Sequence, residues 1–415
     1  MPRVLRIAYL TGRYPAMTPT FVMGEVTELR ATGVEIDTFS IWRTQPRDLL
    51  SAEDRAEAHR TTSILPPSVR ALTGSLIAAW RESPLALLAL VRQAWALARP
   101  GARGKLLALS WIVETVLLRD ALRDRGIRHV HVHLSGTAPA VALLTTDFAN
   151  RVPGGGRHCW SLTIHGPDEF SDVVNEALAE KVAKAEFAVC TSDYAHSQVM
   201  WLIPPESWPK LHVLHSGLDL DRTARSCAPA TVRRGDPPKV LTVCKLSPRK
   251  GVALLLQAVG DLAEAGVDVE LTVVGDGPQR TDLERLTQEL GIADRVTFAG
   301  AVGHDRIGRY YEEADLFAMA SFAEGIPTVL MEAMAYELPV VAPATMGIPE
   351  LVEPGRSGIL FRPGRSDELT QAIRRLAGDP ELRRRFGAAG REQVGAEFDV
   401  RRCAARLREL FEAAA

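Results

Sequence analysis

Short apolar runs alternate with longer segments of helical periodicity along almost the whole chain. Runs such as Leu316–Met319 have the length and residue types of buried strands. Segments such as Val252–Ala265 repeat apolar residues at three- and four-residue spacing, as in a helix that packs on one face. This alternation predicts an α/β fold with parallel sheets between layers of helices. The predicted strands are Leu5–Leu10, Glu35–Ser40, Arg128–Val132, Trp160–Ile164, Phe187–Thr191, Leu211–Leu214, Lys239–Cys244, Val269–Val274, Arg295–Phe298, Leu316–Met319, Pro339–Ala342 and Gly358–Phe361.

One segment interrupts the alternation and indicates a domain boundary. Residues 218–238 include a small, polar and proline-rich stretch, after which a strand pattern begins again. The sequence therefore predicts two Rossmann-like, doubly wound domains, one at 1–220 and one at 221–395, with a cleft between them. Ligands of such folds bind at the carboxyl ends of the strands. Residues 380–415 read as two further helices.

Charge and cysteine content argue against several classes of function. A net charge of −2 over 415 residues gives no support for nucleic acid as a partner. The five cysteines show no CxxC pairing, so neither a zinc site nor a disulfide framework is indicated. The first apolar run stops at Gly12, which is too short for a signal peptide, and no apolar run reaches the length of a membrane span. These features favour a cytoplasmic protein.

Residues 69–118 depart from the alternation, because they are apolar and repeatedly interrupted by basic side chains. The pattern predicts two or three amphipathic helices inserted between early strands. Two interpretations follow: a helical layer packed on the sheet, or a peripheral surface that contacts an anionic membrane, on its inner face, or a lipid-linked acceptor. The basic residues of the insert are Arg70, Arg81, Arg92, Arg99, Arg103 and Lys105.

Two glutamates flank the stretch 324-EGIPTVLME-332, which reads as the start of a helix. Pro327 suits a first helical turn, and Gly325 lets the backbone approach a ligand closely. The free N–H groups and the dipole of the following helix favour an anion such as phosphate. A carboxylate accepts two hydrogen bonds from a vicinal diol, so Glu324 and Glu332 suit a sugar on one side and a ribose on the other. The alternative is a glutamate favoured by the helix dipole plus an exposed glutamate.

A basic loop stands in the stretch 241-LTVCKLSPRKGVALLLQAV-259, between a predicted strand and a predicted helix. It carries Lys245, Arg249 and Lys250. Such side chains at the carboxyl end of a strand face the predicted cleft, where they would neutralise a diphosphate. The alternative is a solvated basic loop.

Together with 274-VGDGP-278 and 347-GIPELVEPGRSGIL-360, these two stretches resemble the family 4 retaining glycosyltransferases. The Glu-x7-Glu spacing and the Gly-x-Pro are that family's signature, and the motifs match it in order and spacing over residues 240–365. The resemblance implies the GT-B fold, in which two Rossmann-like domains face a central cleft. It also implies a nucleotide-sugar donor, no cofactor and no metal. In GT-B proteins the last helix often crosses back to the N-terminal domain, which predicts that course for 396–415.

The resemblance assigns roles in donor binding residue by residue. It gives Lys245 and Lys250 the donor diphosphate, Glu324 the sugar hydroxyls and Glu332 the ribose hydroxyls. Lys245 stands where the family usually has arginine. This change keeps the positive charge but loses the two parallel N–H donors with which a guanidinium group binds a phosphate. Positions close to the sugar, the phosphates or the base are implied for Gly275, Val302, Gly325, Ile326, Pro327 and Thr328.

The N-terminal half resembles bacterial exopolysaccharide members of the family more loosely. The stretch 11-TGRYPAMTPTFVMGEVTEL-29 is similar to their first-loop signature, in which Gly12 would let the loop turn beneath the phosphates. Pro19 occupies the acidic position of that signature and Tyr14 replaces its aromatic, so any role of the acid is lost. The segments 129-HVHVHLSG-136 and 161-SLTIHGPDEF-170 resemble two histidine segments of the same subgroup.

Three histidines in these segments are candidate site residues. His165 follows a strand directly and precedes Gly166, so its ring is expected at the cleft, in contact with the sugar or its developing charge. A structural histidine is the alternative. His131 and His133 share one strand face and would contact the acceptor, or else form a satisfied core pair.

The combined prediction is a retaining glycosyltransferase of the EC 2.4 class that moves a sugar from a nucleoside-diphosphate sugar, with uridine diphosphate favoured, to a hydroxyl acceptor. The catalytic candidates are His165, Glu324 and Lys250, with front-face attack assisted by the leaving phosphate. The pair Asp219-x-Asp221 resembles a metal motif of another fold, but it falls at the linker, so no metal is expected.

The acceptor is left open by the sequence. A polysaccharide repeat or glycolipid on a lipid carrier is favoured by the subgroup resemblance and by the insert at 69–118. The main alternative is a small specialised metabolite such as an aminocyclitol. Two further functions use the same fold and stay open as less favoured interpretations: a nucleotide-sugar epimerase and a non-catalytic sugar-nucleotide-binding protein.

Overall fold

The computed structural model describes residues 5–15, 20–49, 51–133, 136–173, 176–223 and 236–415. The chain divides into two compact units. The first comprises Met1–His215 and Cys403–Ala415, and the second comprises Ser216–Arg402. The centre of the predicted linker, residues 224–235, lies outside the described residues.

The first unit is built on a seven-stranded sheet in which all neighbouring strands are parallel. Its strands are β1 (Arg6–Thr11), β2 (Glu35–Trp42), β3 (Thr62–Leu65), β4 (His129–His133), β5 (Cys159–Ile164), β6 (Ala188–Cys190) and β7 (Leu211–Val213). They are ordered β3-β2-β1-β4-β5-β6-β7, so the chain reverses its progress across the sheet between β1 and β4. Such a switch point, at the carboxyl ends of the strands, is where doubly wound folds bind ligands.

Both faces of this sheet are buried, because alternate residues of β1 enter different cores. Ala8 and Leu10 belong to one core, and Ile7 and Tyr9 belong to the other. The second core includes Phe411, from the C-terminal segment of the chain. The helices from the N-terminal part of the unit are α1 (Thr20–Ala31), α2 (Ala52–Arg60), α3 (Val69–Glu82), α4 (Pro84–Leu97), α5 (Ala102–Arg125), α6 (Thr137–Arg151), α7 (Pro167–Phe170), α8 (Leu178–Lys184) and α9 (Asp193–Leu202).

The insert at 69–118 forms α3, α4 and most of α5, in agreement with the predicted two or three helices. Pro84 begins α4, and the Ser83 hydroxyl caps it by accepting a hydrogen bond from the Ala86 N–H at 3.2 Å. The insert has a buried side in the first core and a second side that faces solvent. Its exposed large apolar residues are Val69, Ile77, Trp80, Leu85, Leu88, Trp95, Leu106 and Leu109.

Within the described part of the chain, no single helix has both the length and the apolar character needed to cross a membrane. The pair α3 and α4 meets those two criteria only when its helices are counted together, and it is bent by 115°.

The second unit is built on a six-stranded parallel sheet. Its strands are β8 (Lys239–Val243), β9 (Glu270–Val274), β10 (Val296–Gly300), β11 (Leu316–Ala318), β12 (Val340–Pro343) and β13 (Gly358–Phe361). They are ordered β10-β9-β8-β11-β12-β13, which puts the switch point between β8 and β11. Its helices are α10 (Val252–Glu264), α11 (Arg280–Glu289), α12 (His304–Glu313), α13 (Thr328–Ala335), α14 (Ile348–Leu351), α15 (Ser366–Gly378) and α16 (Pro380–Glu397). The last helix, α17 (Val400–Ala414), lies mostly in the first unit.

All the predicted strands are present, with ends that differ by a few residues. The sequence analysis missed β3, because only two of its four residues, TSIL, are strongly apolar and a proline pair follows them directly. Asp219 caps a turn, since its Oδ1 accepts hydrogen bonds from the N–H groups of Asp221 and Arg222.

Candidate active site

The predicted site residues fall into two groups, one in each unit. In the second unit, Lys250 lies in the loop after β8 and Glu324 in the loop after β11. These are the two strands that flank the switch point. The chain topology therefore places both side chains at the edge of the sheet where a doubly wound fold binds nucleotides.

A glycine allows these two loops to come together. Gly251 has φ of 61°, and a Cβ atom on it would lie 2.1 Å from the carbonyl oxygen of Ala320. Any larger residue would push the loops apart. The contact is reinforced by the Phe322 N–H, which donates a hydrogen bond to the Arg249 carbonyl at 2.8 Å. Lys250 is thus fixed against the segment that carries Glu324.

Lys250 and Glu324 form an ion pair, with Nζ and Oε1 separated by 2.5 Å. Both side chains are largely buried, at 17% and 9% exposure. The resemblance gives them different parts of the donor, the diphosphate and the sugar hydroxyls. The structure adds that they neutralise each other. A diphosphate that binds Lys250 would therefore also release oxygen atoms of Glu324 for hydroxyl groups.

Helix α13 begins at Thr328, directly after Pro327, as the sequence predicted. The N–H groups of a first helical turn have no partner within the helix, and they carry the positive end of its dipole. This geometry fits the predicted anion site at Gly325–Thr328, and its occupation by a phosphate stays a prediction.

Glu332 lies inside α13 and is buried, which excludes the alternative of an exposed glutamate. Its Oε2 accepts a hydrogen bond from the Tyr311 hydroxyl at 2.6 Å. The ring of Tyr311 in turn stacks on that of Tyr336 at 5.2 Å. Burial raises the pKa of Glu332 from 4.5 to about 7, although the hydrogen bond from Tyr311 acts in the opposite direction. This carboxyl group is therefore poised to change its charge near neutral pH.

The other predicted donor residues stand at the same edge of the second sheet. Lys245 is exposed, two residues beyond the end of β8. Gly275 follows β9 and donates its N–H to the Gly300 carbonyl at 2.8 Å. A Cβ atom on Gly275 would lie 1.8 Å from the Cys244 carbonyl oxygen, so this position also requires glycine. Val302 follows β10 and packs partly against the core of this unit.

In the first unit, two predicted histidines stand where neighbouring strands end. His133 is the last residue of β4, and His165 follows the last residue of β5. The Nδ1 atom of His133 and the Nε2 atom of His165 are 2.9 Å apart. The two rings are stacked, with centroids 5.2 Å apart. These histidines therefore act as one hydrogen-bonded unit.

His165 is partly exposed and is held from several sides. Phe21 packs on its ring at 4.4 Å, and its backbone N–H donates to Oε1 of Glu169 at 3.2 Å. The Thr191 hydroxyl donates to its carbonyl at 3.2 Å. Burial, followed by the proximity of His133, lowers the pKa of His165 well below 6.5. The ring is therefore neutral at physiological pH.

His131 is fully buried and both of its ring nitrogens have partners. Its Nδ1 lies 2.8 Å from the Ser161 hydroxyl, and its Nε2 lies 3.1 Å from the Thr163 hydroxyl. Burial is also the main reason that the pKa of His131 falls well below 6.5. This geometry agrees with the alternative that His131 is a core residue, because a buried ring with both nitrogens hydrogen-bonded cannot contact the substrate that accepts the sugar.

Two further residues of this group, Glu25 and Tyr9, were not singled out by the sequence analysis. Oε1 of Glu25 lies 3.0 Å from Nε2 of His133 and accepts a hydrogen bond from the Tyr9 hydroxyl at 2.7 Å. Glu25 stands in the first-loop signature, so its motif was visible, but only the fold brings it to a histidine 108 residues away. Glu25, His131 and His133 each offer a ligand atom within 4.8 Å of the others, although hydrogen bonds already occupy the ring nitrogens.

Residues of the first loop are described only in part. Gly12 accepts a hydrogen bond at its carbonyl from the Trp42 N–H, and a Cβ atom on it would meet nothing within 4 Å. Its predicted passage beneath the phosphates stays a prediction. Tyr14 is buried and its N–H donates to the Ser40 hydroxyl at 3.0 Å. Pro19, the departure from the family signature, lies outside the described residues.

Comparison with known proteins agrees with this geometry. The family model "Glycosyl transferases group 1" matches residues 228–393. The 2-deoxystreptamine glucosyltransferase of Streptomyces kanamyceticus is 31% identical over 297 residues, which cover 66% of this chain and 74% of that protein. The amylovoran biosynthesis glycosyltransferase AmsK of Erwinia amylovora is 26% identical over 98% of this chain and 99% of its own length.

Among solved structures, Anabaena HepE in complex with UDP-glucose superposes with a TM-score of 0.73 at 17% identity, covering 99% of this chain and 100% of HepE. At that identity the likeness shows the fold alone, and that fold is GT-B. The protein belongs to the group 1 glycosyltransferases, family 4, whose members transfer a sugar from a nucleotide-sugar.

Proposed function

We propose that the protein transfers a sugar from a UDP-sugar to a hydroxyl acceptor with retention of anomeric configuration and without a metal ion. The observation that carries this proposal is the ion pair of Lys250 and Glu324, set immediately before the N-terminus of α13. The cation and the helix N-terminus at this switch point suit the diphosphate, which is also the leaving group, and the carboxylate suits the sugar diol.

The proposed step requires stabilisation of the departing diphosphate. Lys250, Lys245 and the first N–H groups of α13 supply positive charge and hydrogen-bond donors for it. The acceptor oxygen attacks the anomeric carbon as the bond from that carbon to the diphosphate breaks. The acceptor proton passes to a phosphate oxygen of the leaving group. Glu324 holds the sugar hydroxyls during this step and does not attack.

Glu332 is proposed to accept hydrogen bonds from the ribose hydroxyls. Tyr311 occupies its Oε2 atom, and the other carboxylate oxygen stays available for a diol.

Uridine is favoured as the base because HepE, which shares the fold, was solved with UDP-glucose. His165 is proposed to contact a sugar hydroxyl through its ring, because it is the partly exposed member of the histidine group in the first unit.

A lipid-linked polysaccharide precursor is the favoured acceptor. AmsK, which matches the full chain, is named for the biosynthesis of amylovoran. The insert supports this choice, since its exposed tryptophans and leucines lie among basic residues that have no ion-pair partner within the described residues: Arg70, Arg81, Arg92 and Arg103. Apolar and basic side chains in this mixture favour an anionic membrane surface.

A small aminocyclitol is the second candidate, because the S. kanamyceticus relative is named for 2-deoxystreptamine.

A panel of nucleotide-sugars, scored for binding and for release of free nucleoside diphosphate in the presence of EDTA, tests the proposal. We expect one UDP-sugar to bind and to be hydrolysed slowly, and Glu324→Gln to abolish this turnover. Conversion of the donor to its epimer would favour an epimerase instead. Binding without turnover under any acceptor would favour the non-catalytic alternative.

A further inference from the structure

The hydrogen-bonded chain Tyr9–Glu25–His133–His165 has a direction that follows from the chemistry of its members. A carboxylate oxygen only accepts hydrogen bonds. Oε1 of Glu25 receives the Tyr9 hydroxyl and faces Nε2 of His133 at 3.0 Å. The hydrogen on His133 is therefore on Nε2, pointing to Glu25.

This assignment determines the state of the next ring. In the neutral form of His133, which carries a single N–H, Nδ1 has a lone pair and accepts a hydrogen bond. Its partner at 2.9 Å is Nε2 of His165, which must then be the N–H of that ring. The lone pair of His165 is consequently on Nδ1, and this atom makes no hydrogen bond to any described residue.

From this geometry we infer that Glu25 is a positioning residue that fixes the tautomer of His165, so that Nδ1 is presented as a hydrogen-bond acceptor for a sugar hydroxyl. The inference rests on the proposed function of His165. It explains why a carboxylate and a tyrosine hydroxyl, which are expensive to bury, stand behind the histidine pair. The carboxylate of a serine-protease triad orients its histidine in a comparable way.

Neighbouring aromatic rings and hydroxyl groups hold this hydrogen-bonded chain of side chains in one arrangement. Phe21 packs on the ring of His165, and Tyr9 packs on the rings of both His131 and His133 at centroid distances of 5.0 and 5.5 Å. His131 is tied to two hydroxyls and cannot replace His133 as the partner of Glu25 without losing them. The direction of the hydrogen bonds thus depends on Glu25.

Nitrogen-15 NMR of the full chain labelled at histidine tests this inference without any ligand. Protonated and unprotonated ring nitrogens have distinct shifts, and the His165 signals are assigned by their loss in His165→Asn. In the wild type we expect His165 and His133 both to carry hydrogen on Nε2. In Glu25→Gln the amide can present either an oxygen or an NH₂ group to His133, so a mixture with Nδ1–H at His165 is expected.

Glu28→Gln is the matched control, because Glu28 lies one turn away on the same helix α1 and, within the described residues, makes no hydrogen bond or ion pair to His133 or His165. Its spectrum should equal that of the wild type. Hydrogen on Nδ1 of His165 in the wild type, or an unchanged tautomer in Glu25→Gln, would overturn the inference. A spectrum altered by EDTA would also overturn it, because it would reveal a metal on Glu25, His131 and His133.

Kinetics separates this inference from the proposed function. Glu25→Gln should lower kcat by about 10- to 100-fold, the range seen when a carboxylate that orients a metal-binding histidine is replaced. It should leave the affinity for UDP unchanged, since Lys250 and Glu332 are intact. If the wild type itself transfers no sugar, the proposed function fails, while the NMR result still decides the tautomer.

Discussion

Lys250 and Glu324 lie 74 residues apart in the chain, yet they meet as an ion pair at the edge of the second sheet. The resemblance to family 4 enzymes assigns each of them a part of the donor, and the structure shows that the two side chains are paired with each other. Under the proposed function, a donor phosphate would compete with Glu324 for Lys250, and a sugar diol would compete with Lys250 for Glu324.

The first prediction concerns this coupling. Lys250→Met should weaken binding of UDP-sugar and abolish turnover, because it removes the cation for the diphosphate. It should also cost about 1–3 kcal/mol in the free energy of unfolding, since Glu324 is left largely buried without a partner. In the double variant Lys250→Met/Glu324→Gln the cost in stability should be smaller than in Lys250→Met. Denaturant unfolding measures these values, and equal losses in both variants would contradict the coupling.

The second prediction concerns pH and Glu332. Burial raises the pKa of this carboxyl group to about 7, so the folded state holds its proton more tightly than the unfolded chain does. The stabilisation that this proton provides is fully present below pH 4.5 and is lost as the pH rises through 7. The interval from 4.5 to about 7 corresponds to roughly 3 kcal/mol.

Unfolding of the wild type and of Glu332→Gln between pH 4 and 8 tests this dependence. The variant should lose the wild-type decrease in stability with rising pH, while Glu264→Gln, an exposed control in α10, should keep it.

Tyr311→Phe should move the decrease in stability to higher pH, because the Tyr311 hydroxyl stabilises the charged carboxylate of Glu332. Binding of UDP should strengthen as the pH rises through 7, since the ribose hydroxyls donate to the ionised form.

The third prediction concerns Gly251. Gly251→Ala combines a left-handed backbone with a Cβ atom 2.1 Å from the Ala320 carbonyl, so the loop that carries Lys250 must move. Gly266→Ala is the matched control, since it has φ of 71° but no atom within 4 Å of the new Cβ. Both should lose about 1–2 kcal/mol from backbone strain. Only Gly251→Ala should also lose UDP affinity, and equal UDP affinities would show that the loop contact does not position Lys250.

Much of the fold and part of the site could be predicted from local sequence patterns. Strands were predictable because runs of four to six largely apolar residues stand between turn signals, whereas β3 has only two strongly apolar residues, directly before two prolines. The motif around Glu324 was predictable because all its parts are close in sequence. Its pairing with Lys250 was not, since the contact depends on the closure of two loops at Gly251. Glu25 was missed for the same physical reason: its partner His133 becomes a neighbour only through the order of strands in the sheet.

The fourth prediction concerns the exposed face of the insert. Arg92 and Arg103 lie among exposed apolar residues, and Trp95 is covered by Lys105 with Nζ 5.8 Å from the ring centroid. An anionic bilayer would attract each basic side chain with about 1 kcal/mol. The double charge reversal Arg92→Glu/Arg103→Glu should therefore lower binding to vesicles that contain phosphatidylglycerol by at least about 30-fold.

Vesicle sedimentation with and without the anionic lipid measures this effect. The control Arg374→Glu/Arg375→Glu makes the same change of net charge on exposed positions of α15 in the second unit. If attraction depended on net charge alone, both double variants would lose binding equally. Loss confined to the insert variant, with hydrolysis of UDP-sugar unchanged in both, would identify the insert as the membrane surface and favour a lipid-linked acceptor. Binding that survives in the insert variant would leave these helices a structural role and favour the soluble aminocyclitol.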